Sequence, residues 1–91
     1  MDIKVLLEFI RRIVYASSTK EKFTGNLMEL KERVRYDEED KRLLDIIDIT
    51  MQGFDEFMEL KENGLLEKDI VILDTIKKIK VRKKKKGAKE Q

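Results

Sequence analysis

Apolar residues recur every three or four positions along most of this 91-residue chain, and this spacing constrains the fold more than any other feature. The clearest example is the 4-3-4 spacing of Phe23, Leu27, Leu30 and Val34. Because an α-helix turns once in about 3.6 residues, such a spacing aligns the apolar side chains on one face. The pattern predicts amphipathic helices that pack through their apolar faces.

Four such helices are expected, at about residues 2–16, 19–35, 38–62 and 66–82. The expected buried stripe of the last helix consists of Leu66, Ile70, Leu73, Ile76 and Ile79. Short connections between amphipathic helices are typical of antiparallel bundles, so the predicted fold is all-α. The run DIVILDTIKKIKV is rich in β-branched residues, and a buried strand remains an alternative for it.

Candidate capping residues stand near the predicted helix ends. Asp2 and Asp37 are suited to cap the first and third helices, and Ser18 with Glu21 matches the reciprocal capping box for the second. Gly64 is suited to end the third helix because glycine adopts the left-handed conformation without strain. In the first helix the polar side, which includes Arg11, is expected to face solvent.

The third predicted helix is apolar around about 220° of its circumference, more than one packing face requires. The helix is therefore expected either to lie centrally in the bundle or to form a homodimer or partner interface. The candidate interface residues are Ile46, Ile49, Met51, Phe57, Met58 and Leu60. Its remaining arc is acidic, so an adaptor or inhibitor that engages a basic protein is an alternative function.

The charge distribution is strongly asymmetric. Residues 77–91 carry nine lysines and arginines against one glutamate, whereas residues 1–76 carry twelve basic and eighteen acidic residues. Residues 1–82 are predicted to form the helical domain, and residues 83–91 a disordered basic tail. A solubilising terminus, a lipid-surface contact and a nuclear address are alternatives to nucleic-acid binding for this segment.

Clustered cations bind phosphates without reading base sequence, so non-specific contact with DNA or RNA is the predicted function. The candidate nucleic-acid-binding residues are Lys77, Lys78, Lys80, Arg82, Lys83, Lys84, Lys85 and Lys86. No aromatic residue is interleaved with them, which disfavours base stacking on single strands.

Catalysis is not expected, and neither a metal nor another cofactor is predicted. The chain contains no cysteine or histidine, so thiolate sites and histidine acid–base chemistry are excluded. The acidic pairs in ELKE (residues 29–32) and DIID (residues 45–48) resemble those of MazG-type nucleotide pyrophosphohydrolases. That resemblance implies a magnesium site between neighbouring helices, but the helical phase turns these carboxylates away from the apolar stripes.

A second local resemblance concerns GFDEFMEL, residues 53–60, which is similar to the first motif of Sm and Sm-like RNA-binding proteins. That resemblance implies a bent pair of strands that contacts RNA. Glu59 stands where the family places its base-contacting asparagine, and the helical period continues through the segment. A helix is therefore the favoured prediction here.

The composition indicates a folded domain in the cytoplasm. The apolar N-terminal stretch is interrupted by Glu8, Arg11 and Arg12, so neither a signal peptide nor a membrane span is expected. Abundant Lys, Glu and Arg with few Asn and Gln resemble thermophile proteins, which suggests an archaeal or viral source. The combined expectation is a small, dimeric accessory protein.

Overall fold

The computed structural model describes the backbone of residues 1–37 and 41–89 and the side chains of residues 1–36 and 41–82. Within those limits every regular element is an α-helix, which confirms the all-α prediction and makes the strand alternative wrong. The helices are α1 (Ile3–Ala16), α2 (Lys20–Asp37), α3 (Lys41–Met51), α4 (Phe54–Glu62) and α5 (Asp69–Lys89). The backbone of α5 continues seven residues beyond the predicted end at Arg82, so that predicted end is wrong. The side chains from Lys83 onward lie outside the described part, and the disordered tail of residues 83–91 stays a prediction.

The core forms where the apolar faces of the helices meet. The four residues with 4-3-4 spacing in α2 are all buried, as their periodicity predicts. The ring of Phe23 lies edge-on to that of Phe54, with centroids 5.3 Å apart, and 6.3 Å from that of Phe57. These contacts join α2 to α4, and such aromatic pairs contribute about 0.5–1.5 kcal/mol beyond their buried area.

The predicted third helix is in fact two helices, α3 and α4, interrupted at Gln52 and Gly53. The N–H of Gly53 donates to the carbonyl of Thr50 at 3.0 Å, which tightens the end of α3. A Cβ atom at Gly53 would lie only 2.2 Å from Cδ1 of Ile79 in α5. Glycine thus allows α5 to approach the interruption. The apolar arc of about 220° assumed one continuous helix, so that prediction is wrong.

Hydrogen bonds at the helix starts show which residues cap them. The carboxylate of Asp2 accepts from the N–H of Val5 at 3.0 Å, as predicted. At the start of α2, the hydroxyl of Thr19 accepts from the N–H of Lys22 at 3.2 Å. The predicted capping box at Ser18 is therefore wrong by one residue, because the adjacent hydroxyl takes the role. The predicted cap at Asp37 lies outside the described side chains.

The end of α4 follows the predicted pattern. Gly64 has φ 69°, the left-handed conformation that favours glycine. The N–H of Leu65 donates back to the carbonyl of Leu60 at 2.9 Å, which satisfies one of the carbonyls that end the helix. The chain then turns before α5 begins at Asp69, three residues later than the sequence pattern predicts.

Arg11 of α1 fixes this turn, and its predicted exposure to solvent is wrong, since the residue is 9% exposed. Its Nε donates to the carbonyl of Leu66 at 3.0 Å, and its Nη2 donates to that of Glu67 at 3.3 Å. The guanidinium also forms ion pairs with Glu8 and Asp69. Burial opposes the charge, but the hydrogen bond with Asp69 and the charge of Glu8 outweigh it and raise the pKa of Arg11.

Candidate functional site

Helix α5 carries the described part of the candidate nucleic-acid site, and its buried face anchors it to the body. Ile72, Ile76 and Ile79 are buried among the other helices. The hydroxyl of Thr75, also buried, donates to the carbonyl of Val71 at 2.8 Å and so needs no partner outside the helix. The first half of α5 is thus held in place, and its other side faces solvent.

Three predicted nucleic-acid-binding residues lie on that solvent side. We call Lys77, Lys78 and Lys80 the lysine face, and all three side chains are exposed. The backbone of α5 continues as a helix to Lys89. The predicted sites at Lys83, Lys84, Lys85 and Lys86 lie outside the described side chains. The structure therefore describes the base of the basic segment and its attachment to the fold.

Arg82, the fourth predicted residue with a described side chain, contacts the body instead of extending freely into solvent. Its guanidinium forms an ion pair with Glu56 of α4, although the contact does not have hydrogen-bond geometry for Glu56 Oε2. The Arg82 side chain is 61% exposed and that of Glu56 is 27% exposed. Solvent screens such a pair, so Arg82 is held only weakly.

An apolar groove runs between α3 and α5 beside the lysine face, and we call it the α3/α5 groove. It encloses about 450 Å³. Its apolar lining includes Ile46, Ile49, Leu73 and Ile76. Its charged lining consists of Arg42, Asp45, Asp74, Lys77 and Lys80. The groove therefore combines an apolar floor with charged side chains of both signs.

The six predicted interface residues fall into three positions. Ile46 and Ile49 line the α3/α5 groove together with two residues of the lysine face. Phe57 is completely buried in the core. Met51, Met58 and Leu60 are half-buried against the core, away from the groove lining. The structure thus brings only two of the six together with the basic segment.

Ile70 is the residue at this site whose position the sequence reasoning missed. The apolar pattern assigned it to the buried stripe of the last helix, whereas its side chain is 67% exposed at the groove. The actual stripe is offset, since Ile72, Ile76 and Ile79 share the 4-3 spacing that marks one helical face. The 4-3 spacing of these three isoleucines is visible in the sequence and could have indicated the buried face of α5.

The acidic pairs of the MazG-like pattern do not converge on a shared site. Glu29, Glu32 and Asp45 are exposed. Asp48 is bound at 2.7 Å by Lys31, the α2 lysine that lies between the two glutamates in sequence. Among the described residues, no group of three histidine, cysteine, aspartate or glutamate residues is placed to hold a metal ion.

The Sm-like stretch, residues 53–60, is almost entirely the helix α4. The strand pair that this resemblance implies is therefore wrong for these residues. Comparison of the chain with protein-family models, curated proteins and solved structures gives no match. None of the helices in the described part of the chain is long and apolar enough to cross a bilayer.

Proposed function

We propose that this chain is a small, non-enzymatic helical accessory protein that contacts nucleic acid without sequence preference through the basic end of α5. The observation that carries the proposal is the lysine face. Lys77, Lys78 and Lys80 are exposed on a helix whose opposite side is anchored in the core. Five further lysines follow Arg82 in the sequence.

The physical basis is the release of counterions when closely spaced cations meet phosphates. An anchored helix presents its first lysines with little loss of backbone freedom, which lowers the entropic cost of binding. Residues 1–76 carry six more acidic than basic residues, so the body repels phosphate. Contact is therefore confined to the end of α5, and the lack of interleaved aromatic residues favours backbone contact over base stacking.

The lysine face gives a direct test. Lys77, Lys78 and Lys80 are replaced together by glutamine, and binding to labelled duplex DNA, single-stranded DNA and RNA is followed by fluorescence anisotropy across a salt titration. Binding should weaken for all three nucleic acids. The slope of log K against log salt for the duplex should fall by up to about 2.7, because each lost phosphate contact removes about 0.9.

A matched control keeps the net charge equal. Lys4, Lys20 and Lys22 are also exposed but lie on or near α1 and α2, and their joint replacement by glutamine removes the same three charges. This control should bind nearly as tightly as the unchanged chain. Equal weakening in both triple variants, or no binding by the unchanged chain at low salt, contradicts the proposal.

The alternative is an adaptor that engages a basic protein through its acidic face, and the structure gives it less support. Two of the acidic residues on which it relies already have basic partners within the fold. Asp48 is bound by Lys31, and Glu56 is paired with Arg82. Fewer unpaired carboxylates are therefore available to attract a basic protein.

A further inference from the structure

The α3/α5 groove exposes more apolar surface than one isolated side chain would. Ile70 is 67% exposed beside it, and Ile46 and Leu73 are half-buried in its wall. Ile70 is also at the start of α5, where the Arg11 contacts to the preceding turn hold the chain. A fixed, exposed apolar residue beside an apolar groove is typical of an interaction surface.

The charges around the groove decide which occupant fits. Asp45 follows Arg42 by three residues on α3, and Lys77 follows Asp74 by three residues on α5. Each wall therefore presents both signs within one helical turn. A uniformly basic peptide meets repulsion from the three cations of the lining, and a uniformly acidic peptide meets repulsion from its two aspartates.

We propose that the α3/α5 groove is the surface through which two copies of this chain form a symmetric dimer. A second copy brings the same mixture of acids and bases, so a two-fold axis can set each acid against a base of the other copy. It also brings Ile70, which can enter the facing groove. The chain's own segment after Arg82 is a poorer occupant, since it holds five lysines and one glutamate.

The dimer goes beyond the proposed nucleic-acid contact and does not depend on it. Because Lys77 and Lys80 line the groove, the dimer covers part of the lysine face, whereas Lys78 lies outside the groove lining. The dimer also covers Ile70, which the isolated chain leaves in water. The interface differs from the one predicted from sequence, since Met51, Phe57, Met58 and Leu60 lie outside the groove lining.

Sedimentation equilibrium of the full chain over a wide concentration range tests this dimer. Ile70→Lys should raise the dimer dissociation constant roughly hundredfold, because a symmetric interface contains the substitution twice. Val81→Lys is the matched control: Val81 is on the same helix, is 62% exposed and does not line the groove. Its dissociation constant should stay close to that of the unchanged chain. Circular dichroism verifies that both variants remain helical.

Each possible result either supports the groove dimer or overturns it. A concentration-dependent dimer that Ile70→Lys disrupts and Val81→Lys leaves intact supports the proposal. A monomer at every concentration overturns it, and so does a dimer that both variants leave intact or weaken equally. None of these results depends on nucleic-acid binding, so failure of the dimer and failure of the proposed function are distinguishable.

Discussion

Replacing Arg11 by methionine should destabilise the fold by about 2–4 kcal/mol. The guanidinium satisfies the carbonyls of Leu66 and Glu67, and the side chain is only 11% exposed. Leaving one buried carbonyl without a donor costs about 1–3 kcal/mol. Glu8 and Asp69 are about half exposed and return to water, so each lost ion pair adds at most about 1 kcal/mol. Methionine retains the apolar stem, which limits the packing loss.

The assay is urea unfolding followed by circular dichroism at 222 nm, with the midpoint and the m-value fitted for each variant. The control is Arg12→Met on the neighbouring residue, whose side chain is 72% exposed and pairs with Glu8 at 3.7 Å. The control should change the free energy of unfolding by less than about 0.5 kcal/mol. If the two variants unfold at the same urea concentration, Arg11 does not hold the turn before α5, and the reasoning is refuted.

Two further predictions concern the approach of α5 to Gly53 and the ion pair between Arg82 and Glu56. Gly53→Ala should cost about 1–3 kcal/mol, because its Cβ would collide with Ile79, whereas Gly25→Ala inside α2 meets no atom within 4 Å and should stabilise by about 0.5–1 kcal/mol. Both are measured by urea unfolding, and equal effects would contradict the close approach. Glu56→Gln should release Arg82 for phosphate contact and steepen the salt slope of duplex binding by up to about 0.9. An unchanged or shallower slope would show that freeing Arg82 gains no phosphate contact.

Helical periodicity predicted the fold class because each helix buries a stripe of apolar residues, and the three- and four-residue spacing of such a stripe can be recognised within a few helical turns. The stripe from Phe23 to Val34 is buried throughout, and the turn at Gly64 has the predicted left-handed conformation. Both depend on local geometry. The spacing rules therefore located α1 and α2 to within two residues at each end and the start of α5 to within three, and they merged α3 with α4.

The remaining features depend on residues far apart in the sequence. Gly53 interrupts the helix where Ile79 approaches, and no local signal reveals that neighbour. The periodicity of α1 places Arg11 on its solvent-facing side. The side chain is nevertheless buried, because it donates hydrogen bonds to the carbonyls of Leu66 and Glu67, about fifty-five residues later in the sequence. The exposure of Ile70 follows from the rotational setting of α5, which the packing of Ile72 and Ile79 fixes.

The candidate basic residues were predicted from charge alone, since lysine runs are visible in any sequence. Lys77, Lys78 and Lys80 are exposed, and their contact with nucleic acid remains a proposal. The structure adds the ion pair between Arg82 and Glu56, which required knowledge of how α4 and α5 lie together. Charge patterns predict where cations are concentrated in the sequence, but not which of these cations form ion pairs with other parts of the fold.

The most direct measurement of the central proposal compares duplex binding of the full chain with that of a chain ending at Arg82, across a salt titration. The full chain should bind at low salt and lose affinity steeply as salt rises, whereas the shortened chain should bind more weakly with a shallower slope, because it lacks five lysines. Equal affinity and equal slopes for the two chains would contradict a role for the five lysines that follow Arg82. Absence of binding by the full chain at low salt would contradict nucleic-acid contact altogether.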